Sequence, residues 1–311
     1  MKPRIVVTGV AGFIASNLAD RLLAEGYSVV GVDNLSYGMR EQIPDGVLFH
    51  ETDIRSPKLH DILRPGDVIF HLAAKNCVSD CQLDPVDTAS INVTGTVNVF
   101  EAARRARAQK VIYAESSALY EGSNLLPTPE HDIHPESFYA VSKLAMMAFA
   151  EAYQRFYGVR MTALRYFCVY GPRQDYRRTT PPVMSAFILK LLRSEQPVIY
   201  GTGEKRRDFI HVDDVNDFHL QCIADPRTDG RVFNLGSGVS CSVKEIYEHV
   251  ALILGTNIRP LHTPDLPGEA RETLADISAA RALGWRPKVS LDQGLRSFVE
   301  YYQRRGIPCR I

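Results

Sequence analysis

The stretch Ile5-Val6-Val7-Thr8-Gly9-Val10-Ala11-Gly12-Phe13-Ile14-Ala15 passes from a β-branched run into a helical pattern through a turn with glycines three apart. Glycine takes a positive φ without steric cost and lets another backbone come close, so Gly9 suits the tight turn and Gly12 the approach of a pyrophosphate. The helix that follows offers unpaired N–H groups and the positive end of its dipole to an anion. A G-x-x-G-x-x-A turn can also be purely structural. Its place between a strand and a helix favours dinucleotide binding. Lys2 and Arg4 before this apolar run imitate a signal peptide, but Gly9 and Gly12 interrupt it and Asp20 and Arg21 follow. A buried first strand is the expectation.

Further along, β-branched runs at 5–8, 28–32, 47–50, 68–71 and 111–114 alternate with helical patterns at 15–25, 58–63 and 91–107. Strands this apolar are buried on both faces, which implies an α/β, Rossmann-type doubly wound parallel sheet with right-handed crossovers. A long helix at 137–157 and a strand at 160–167 continue the pattern. From Gly171 the breakers Gly-Pro-Arg-Gln and Thr-Thr-Pro-Pro mark a change of region. A helix at 183–193, a strand at 198–200, a strand–helix unit at 208–223 and a strand at 232–235 are expected beyond it.

Composition narrows the classes. Of 311 residues, 45% are hydrophobic and 23% charged, which excludes a disordered, collagen-like or coiled-coil chain. Lys+Arg 36 and Asp+Glu 36 cancel, so no basic field invites nucleic acid or an acidic membrane. No apolar run approaches the ~18–20 residues of a membrane helix. Cysteines at 77, 81, 168, 222, 241 and 309 are scattered without a C-x-x-C pair. They read as reduced thiols of a cytoplasmic protein, with no metal site.

Three places carry candidate chemistry. Asp33, 21 residues after Gly12 at the end of the second strand, can accept both ribose hydroxyls of an adenosine and repel a 2′-phosphate. That favours NAD over NADP. Asp53 can reach the adenine edge or cap the helix near Ser56. Tyr139 and Lys143 stand four apart on the long helix, hence on one face. An ammonium there favours the phenolate and lowers a pKa of ~10 toward neutrality, making Tyr139 a general base. Tyr-x-x-x-Lys also arises by chance. It gains weight from Ser116-Ser117 after the fifth parallel strand, because ligands gather at the carboxyl ends of such strands.

With these motifs the chain resembles the extended short-chain dehydrogenase/reductase family, the NAD-dependent nucleotide-sugar epimerases and dehydratases. The matches run in order along the sequence: Thr-Gly-x-x-Gly-Phe-Ile at 8–14, Asp33-Asn34-Leu35, His71-Leu72-Ala73-Ala74, Asn92-Val93-x-Gly95-Thr96 and Ser116-Ser117-Ala118-Leu119-Tyr120. Tyr139-x-x-x-Lys143, Leu164-Arg165-Tyr166-Phe167, Tyr170-Gly171-Pro172-Arg173-Gln174 and Arg207-Asp208-Phe209 follow. Asn234-Leu235-Gly236-x-Gly238, Ala275-Asp276 and Leu283-Gly284-Trp285-x-Pro287 complete the series.

The resemblance implies that Gly9, Gly12, Phe13, Ile14, Asp33, Asn34, Asp53 and Ile54 hold the adenosine and pyrophosphate of NAD. Leu72, Ala73, Ala74, Asn92 and Tyr166 complete the coenzyme side, with Tyr139 and Lys143 at the nicotinamide ribose. Tyr139, Ser116 and Lys143 would be catalytic, Tyr139 taking the proton of a sugar hydroxyl and Ser116 bonding the same oxygen while NAD carries the hydride. For the sugar nucleotide it implies Ser116, Ser117, Cys168, Tyr200, Arg207, Arg271 and Thr273. Arg207 would grip the diphosphate.

Departures from the family pattern narrow the reaction. Dehydratases and decarboxylating synthases of the family carry Glu where this chain has Ala118, and other types carry Cys; alanine moves no proton. The pattern is nearest the UDP-hexose 4-epimerases, with NAD recycled. A uronate epimerase, a ketosugar reductase and an NAD-binding regulatory protein on the same scaffold are the alternatives. Glu115 and Glu121, unusual beside this segment, read as surface charges at the strand end. Cys168 replaces the usual Asn, and Leu266 the usual Arg; Arg271 nearby either replaces that arginine or is simply a surface residue. Thr273 stands where many galactose epimerases carry Tyr, leaving space for an N-acetyl group. The expected division is 1–167 plus 208–236 for NAD, and 168–207 plus 237–311 for the nucleotide sugar. The family also implies a homodimer pairing the helices 91–107 and 137–157, with Ala145, Met146, Met147, Ala148 and Phe149 suited to the contact, although an apolar helix face is more often ordinary core.

Overall fold

The structure, a computed structural model, describes residues 2–177, 181–265 and 270–306. The first part of the chain forms β1 (Ile5–Thr8), α1 (Phe13–Ala24), β2 (Val29–Asp33), β3 (Leu48–Glu51), α2 (Leu59–Ile62), β4 (Val68–His71), α3 (Val78–Leu83), α4 (Pro85–Ala89), α5 (Thr96–Ala106), β5 (Lys110–Ser116), α6 (Phe138–Tyr157) and β6 (Met161–Tyr166). The remainder adds β7 (Cys168–Tyr170), α7 (Val183–Leu192), β8 (Val198–Tyr200), β9 (Arg206–His211), α8 (Val212–Ala224) and β10 (Arg231–Leu235). It closes with β11 (Ser240–Ser242), α9 (Val243–Leu254), β12 (Leu261–Thr263), α10 (Ser278–Arg281) and α11 (Leu291–Arg304).

Seven strands pair in the order β10-β6-β5-β4-β1-β2-β3, and every pair is parallel. This is the doubly wound sheet that the apolar runs imply. β1, β2, β4 and β6 are buried at every residue because helices cover both faces. One face packs Leu18 and Leu22 of α1 with Val215 and Phe218 of α8. The other packs Phe100 of α5 with Met146 and Tyr153 of α6. The chain leaves β1 for β2 in one direction and later runs from β4 to β5 in the other. Successive connections therefore diverge between β1 and β4, which opens a crevice at their carboxyl ends.

Beyond the large sheet, β11-β9-β7 and β12-β8 form two small sheets over a third core that includes Phe187, Ile246, Phe298 and Tyr302. The expected boundary at 208 falls inside β9, whose partners β7 and β11 lie on this second side. Ala275, Ile277, Ala280 and Trp285 return to the core of the large sheet, with Trp285 edge-on to Phe218. The described residues of the 237–306 segment are thus shared between both sides.

Two further departures bear on the site. The helix expected at 91–107 begins as a π-helical turn at Ser90–Gly95 before α5. α3 and α4 are not foreshadowed in the sequence, since Ser79, Asp80, Gln82 and Asp84 break any apolar period. Of the residues expected at a helix–helix contact, Met146 is instead buried in the core, while Ala148 and Phe149 are exposed. Among the described residues no helix is long and apolar enough to cross a membrane.

Candidate active site

A cavity of about 530 Å³ fills the crevice between the large sheet and the small ones. Its coenzyme side is built from main chain. Gly9 has φ +74°, and a Cβ there would lie 2.8 Å from the Ala73 N and 2.9 Å from its Cα. The turn after β1 and the loop after β4 therefore touch backbone to backbone. Gly12 precedes α1 with no capping side chain and no acidic residue in the first turn, and Phe13, Ile14 and Ala15 line the cavity. The first amides of α1 are open to an anion.

Asp33, at the end of β2, is buried, yet its oxygens accept from Ala11 N at 3.0 Å and Leu35 N at 2.8 Å. Burial pushes its carboxyl up and the amides of Leu35, Ala11 and Asn34 pull it back. Each oxygen keeps a lone pair for a ribose hydroxyl. Asp53 accepts from Arg55 and from Asn34 Nδ2, and the Arg55 guanidinium holds its carboxyl down at about 2. Asn34, Asp53 and Ile54 line the same end of the cavity.

His71, which the sequence shows only within the His-Leu-Ala-Ala run, fastens this side together. Thr8 Oγ1 receives the amides of Leu72 and Ala73, so its proton goes to His71 Nδ1 at 2.8 Å. His71 Nε2 then donates to Thr96 Oγ1 at 2.9 Å. Burial, with help from Lys143, lowers the ring's pKa to about 3, so it stays neutral. The π-helical turn points Asn92 inward. Its amide bonds both backbone groups of Lys75 and donates to Ser142 Oγ at 3.0 Å, and Ser142 Oγ donates to Tyr139 O. Asn92 thus holds the loop before α3 against α6 and stands outside the cavity lining. Tyr166 lines the cavity while its hydroxyl binds the neutral His219 at 2.6 Å.

Ser116 ends β5, Tyr139 and Lys143 stand in the first two turns of α6, and all three line the cavity. Lys143 is 2% exposed, and its Nζ donates to Ala114 O at 2.8 Å and stands 5.8 Å from the Tyr139 ring centre. Burial lowers its pKa to about 8, opposed by the Glu115 charge. Ser137 caps α6 through Ala140 N. Glu121 accepts from the Glu136 and Ser137 amides and from Ser137 Oγ, anchoring the start of the helix that carries Tyr139. It is a structural anchor, where the sequence suggests a surface charge.

The opposite wall holds Ser117, Cys168, Arg207 and Thr273. Burial pushes the Cys168 thiol up to about 11, leaving it neutral. Arg207 lies on β9 beside Asp208, whose carboxylate receives Ser237 N, Gly238 N and Ala275 N and so locks the strand. Thr273 Oγ1 accepts from Asp208 N. Two expected substrate residues lie elsewhere. Tyr200 is 44% exposed on β8, and Arg271 is exposed on a loop; neither lines the cavity. Leu266 and Cys309 lie outside the described residues.

Residues 5–236 match the model of the NAD dependent epimerase/dehydratase family. The chain belongs to this family. It is 37% identical over 314 residues to the UDP-glucose 4-epimerase of Mycolicibacterium smegmatis, covering 97% of this chain and 99% of that one. Its structure is similar to the UDP-glucose 4-epimerase of Thermotoga maritima solved with UDP-glucose, at TM-score 0.93 and 36% identity over 97% of this chain and 99% of that one. It is equally similar to the UDP-N-acetylglucosamine 4-epimerase of Methanobrevibacter ruminantium M1 in complex with UDP-N-acetylmuramic acid, at TM-score 0.94 and 31% identity over 98% and 100%.

As a member of the NAD dependent epimerase/dehydratase family, the chain is an enzyme of nucleotide-sugar chemistry that uses NAD. Its residues fit that coenzyme: a glycine turn too close to Ala73 for any side chain, uncapped α1 amides, and a buried Asp33 with open lone pairs. What the sequence misjudges is Glu115. It is 2% exposed, and its Oε2 receives Arg165 Nε at 2.5 Å. Arg165 is itself buried and also reaches Tyr120 OH, Glu130 O and Met147 Sδ. α6 covers the face of β5 that carries Tyr113 and Glu115, so a charge at position 115 is an interior one although the end of the strand borders the cavity. Its neighbour Arg165 in the Leu-Arg-Tyr-Phe motif is the available signal.

Proposed function

We propose that the chain catalyses the 4-epimerisation of a UDP-hexose. The observation that carries this reading is that the cavity wall at Ser116 brings in Tyr139 and Lys143, while the two carboxylates that also line it there, Glu115 and Glu121, are each held by other groups of the fold. Position 118 is alanine, and the nearby carboxylates are engaged: Glu121 at the start of α6 and Glu115 on Arg165. Dehydration or decarboxylation needs a second proton transfer; inversion at C4 does not. Bound NAD supplies the hydride acceptor and donor for C4.

In this reading Tyr139 removes the proton from the sugar 4-hydroxyl and gives it back to the same oxygen after the sugar has turned, so that the hydride would return to the opposite face of C4. Ser116 donates a hydrogen bond to the same oxygen. Lys143 keeps its charge beside the phenol, favouring the phenolate. Arg207 holds the diphosphate through its planar donors while the sugar turns. Small side chains at Ser117, Ala118 and Thr273 leave the sugar room to do so.

Thr273 also points to breadth: UDP-GlcNAc should be accepted alongside UDP-glucose. Initial rates on UDP-glucose, UDP-GlcNAc and UDP-glucuronate, for the natural enzyme and Thr273→Tyr, test this. The variant should lose at least tenfold on UDP-GlcNAc and little on UDP-glucose. Equal rates in both would reject the role of Thr273. We further propose a homodimer through α6, where Val141, Phe149 and Phe156 are exposed at spacings of about two helical turns. Light scattering of the eluting protein gives its mass, and a monomer would refute this.

A further inference from the structure

A buried ion pair between Glu115 and Arg165 needs a reason, because apolar residues of similar volume would commonly stabilise the fold as well. One reason lies next to it. Lys143 Nζ donates to Ala114 O, which puts the ammonium at the peptide that joins Ala114 to Glu115. The Glu115 side chain leaves the strand toward α6. Its partner Arg165 reaches Met147 Sδ at 3.3 Å, and Met147 is one turn beyond Lys143. Tyr113, two residues earlier and on the same face, packs in the core with Met146 and Tyr153 of that helix. The carboxylate therefore sits between β5 and the 143–147 turn. Its Oε1 is buried, with the Tyr113 hydroxyl as the neighbouring donor.

We propose that Glu115 is a positioning residue, its carboxylate holding the Lys143 ammonium protonated and in place beside Tyr139. The inference rests on the reading of Tyr139 and Lys143 given above. The other groups facing Lys143 do not serve this purpose. His71 of β4 is neutral and the Cys81 thiol of α3 is buried with its pKa raised, while Arg165 of β6, the partner of Glu115, is a cation. Tyr113 is pushed well above its ordinary value, first by burial and then by the Glu115 charge, so it too is neutral. Glu115 is the anion that opposes the burial of Lys143.

Glu115→Gln keeps the shape and removes the charge. The midpoint of Lys143, followed by NMR of the protein with its lysines isotopically labelled and assigned through Lys143→Met, should move from about 8 to lower pH by at least one unit, a tenfold change. The alkaline limb of the activity profile should move by the same amount, and Glu115→Asp should restore both. Should Glu115→Gln fail to fold, Glu115→Gln/Arg165→Met leaves no unpaired charge and should show the same direction of shift. A folded variant whose Lys143 midpoint is unchanged overturns the proposal. Because the titration reads Lys143 without turnover, it holds or fails separately from the epimerase reading, which falls if no UDP-sugar is converted.

Discussion

On the coenzyme side of the cavity the walls are main chain: the Gly9 turn against Ala73, the open amides of α1, and carboxylates tied to backbone N–H groups. On the sugar side they are side chains carried by strands of the small sheets and by loops, with Cys168 on β7, Arg207 on β9 and Thr273 on a loop bonded to β9. A backbone wall tolerates few residue types, because a positive φ or a 2.8 Å approach admits only glycine. A side-chain wall can be rebuilt one residue at a time. One side therefore fixes the coenzyme, and the other is where substrates can diverge within a family.

Substitutions on the two sides should fail differently. Gly9→Val is expected to abolish coenzyme retention, since its Cβ would collide with the Ala73 backbone; the purified, folded variant assayed for bound NAD should hold none. Full occupancy would break the account of that wall. Tyr139→Phe should lower turnover by roughly 10²–10⁴-fold while keeping its NAD, separating chemistry from binding. Acid should dismantle the coenzyme side. His71 and His219 remain neutral in the fold to about pH 3, whereas the unfolded rings take a proton near 6.5. Stability should thus fall as pH drops from 6.5 toward 3, by on the order of a few kcal/mol per ring, and the drop should shrink in His219→Gln. Denaturant unfolding at several pH values reads it. Arg207→Ala, the mildest, should raise KM by about 10–100-fold with little change in bound NAD, as a lost charge-assisted hydrogen bond would.

The same contrast explains what could be read in advance. Gly9, Gly12, Asp33, Tyr139 and Lys143 are legible because each meets a local demand, a turn, a strand end or a helical spacing, that the chain itself displays. The π-helical turn at Ser90–Gly95 is not, since the apolar pattern over 91–107 runs on through it. Glu115 reads as exposed because nothing in its own segment reveals that α6 covers its face of β5. Its partner Arg165 lies 50 residues away. Tyr200 and Arg271 rest on resemblance alone; the first is exposed on β8 and the second on a loop, and neither lines the cavity. Strands of three residues such as β7, β11 and β12 have too few positions for a period of two to show.

The most direct test of the central claim is proton NMR of the purified protein with UDP-glucose and no added coenzyme. The account predicts a galacto-configured anomeric signal that grows to a constant ratio with no net formation of NADH. A 4-keto-6-deoxy product, or stoichiometric reduction of the coenzyme, would contradict it.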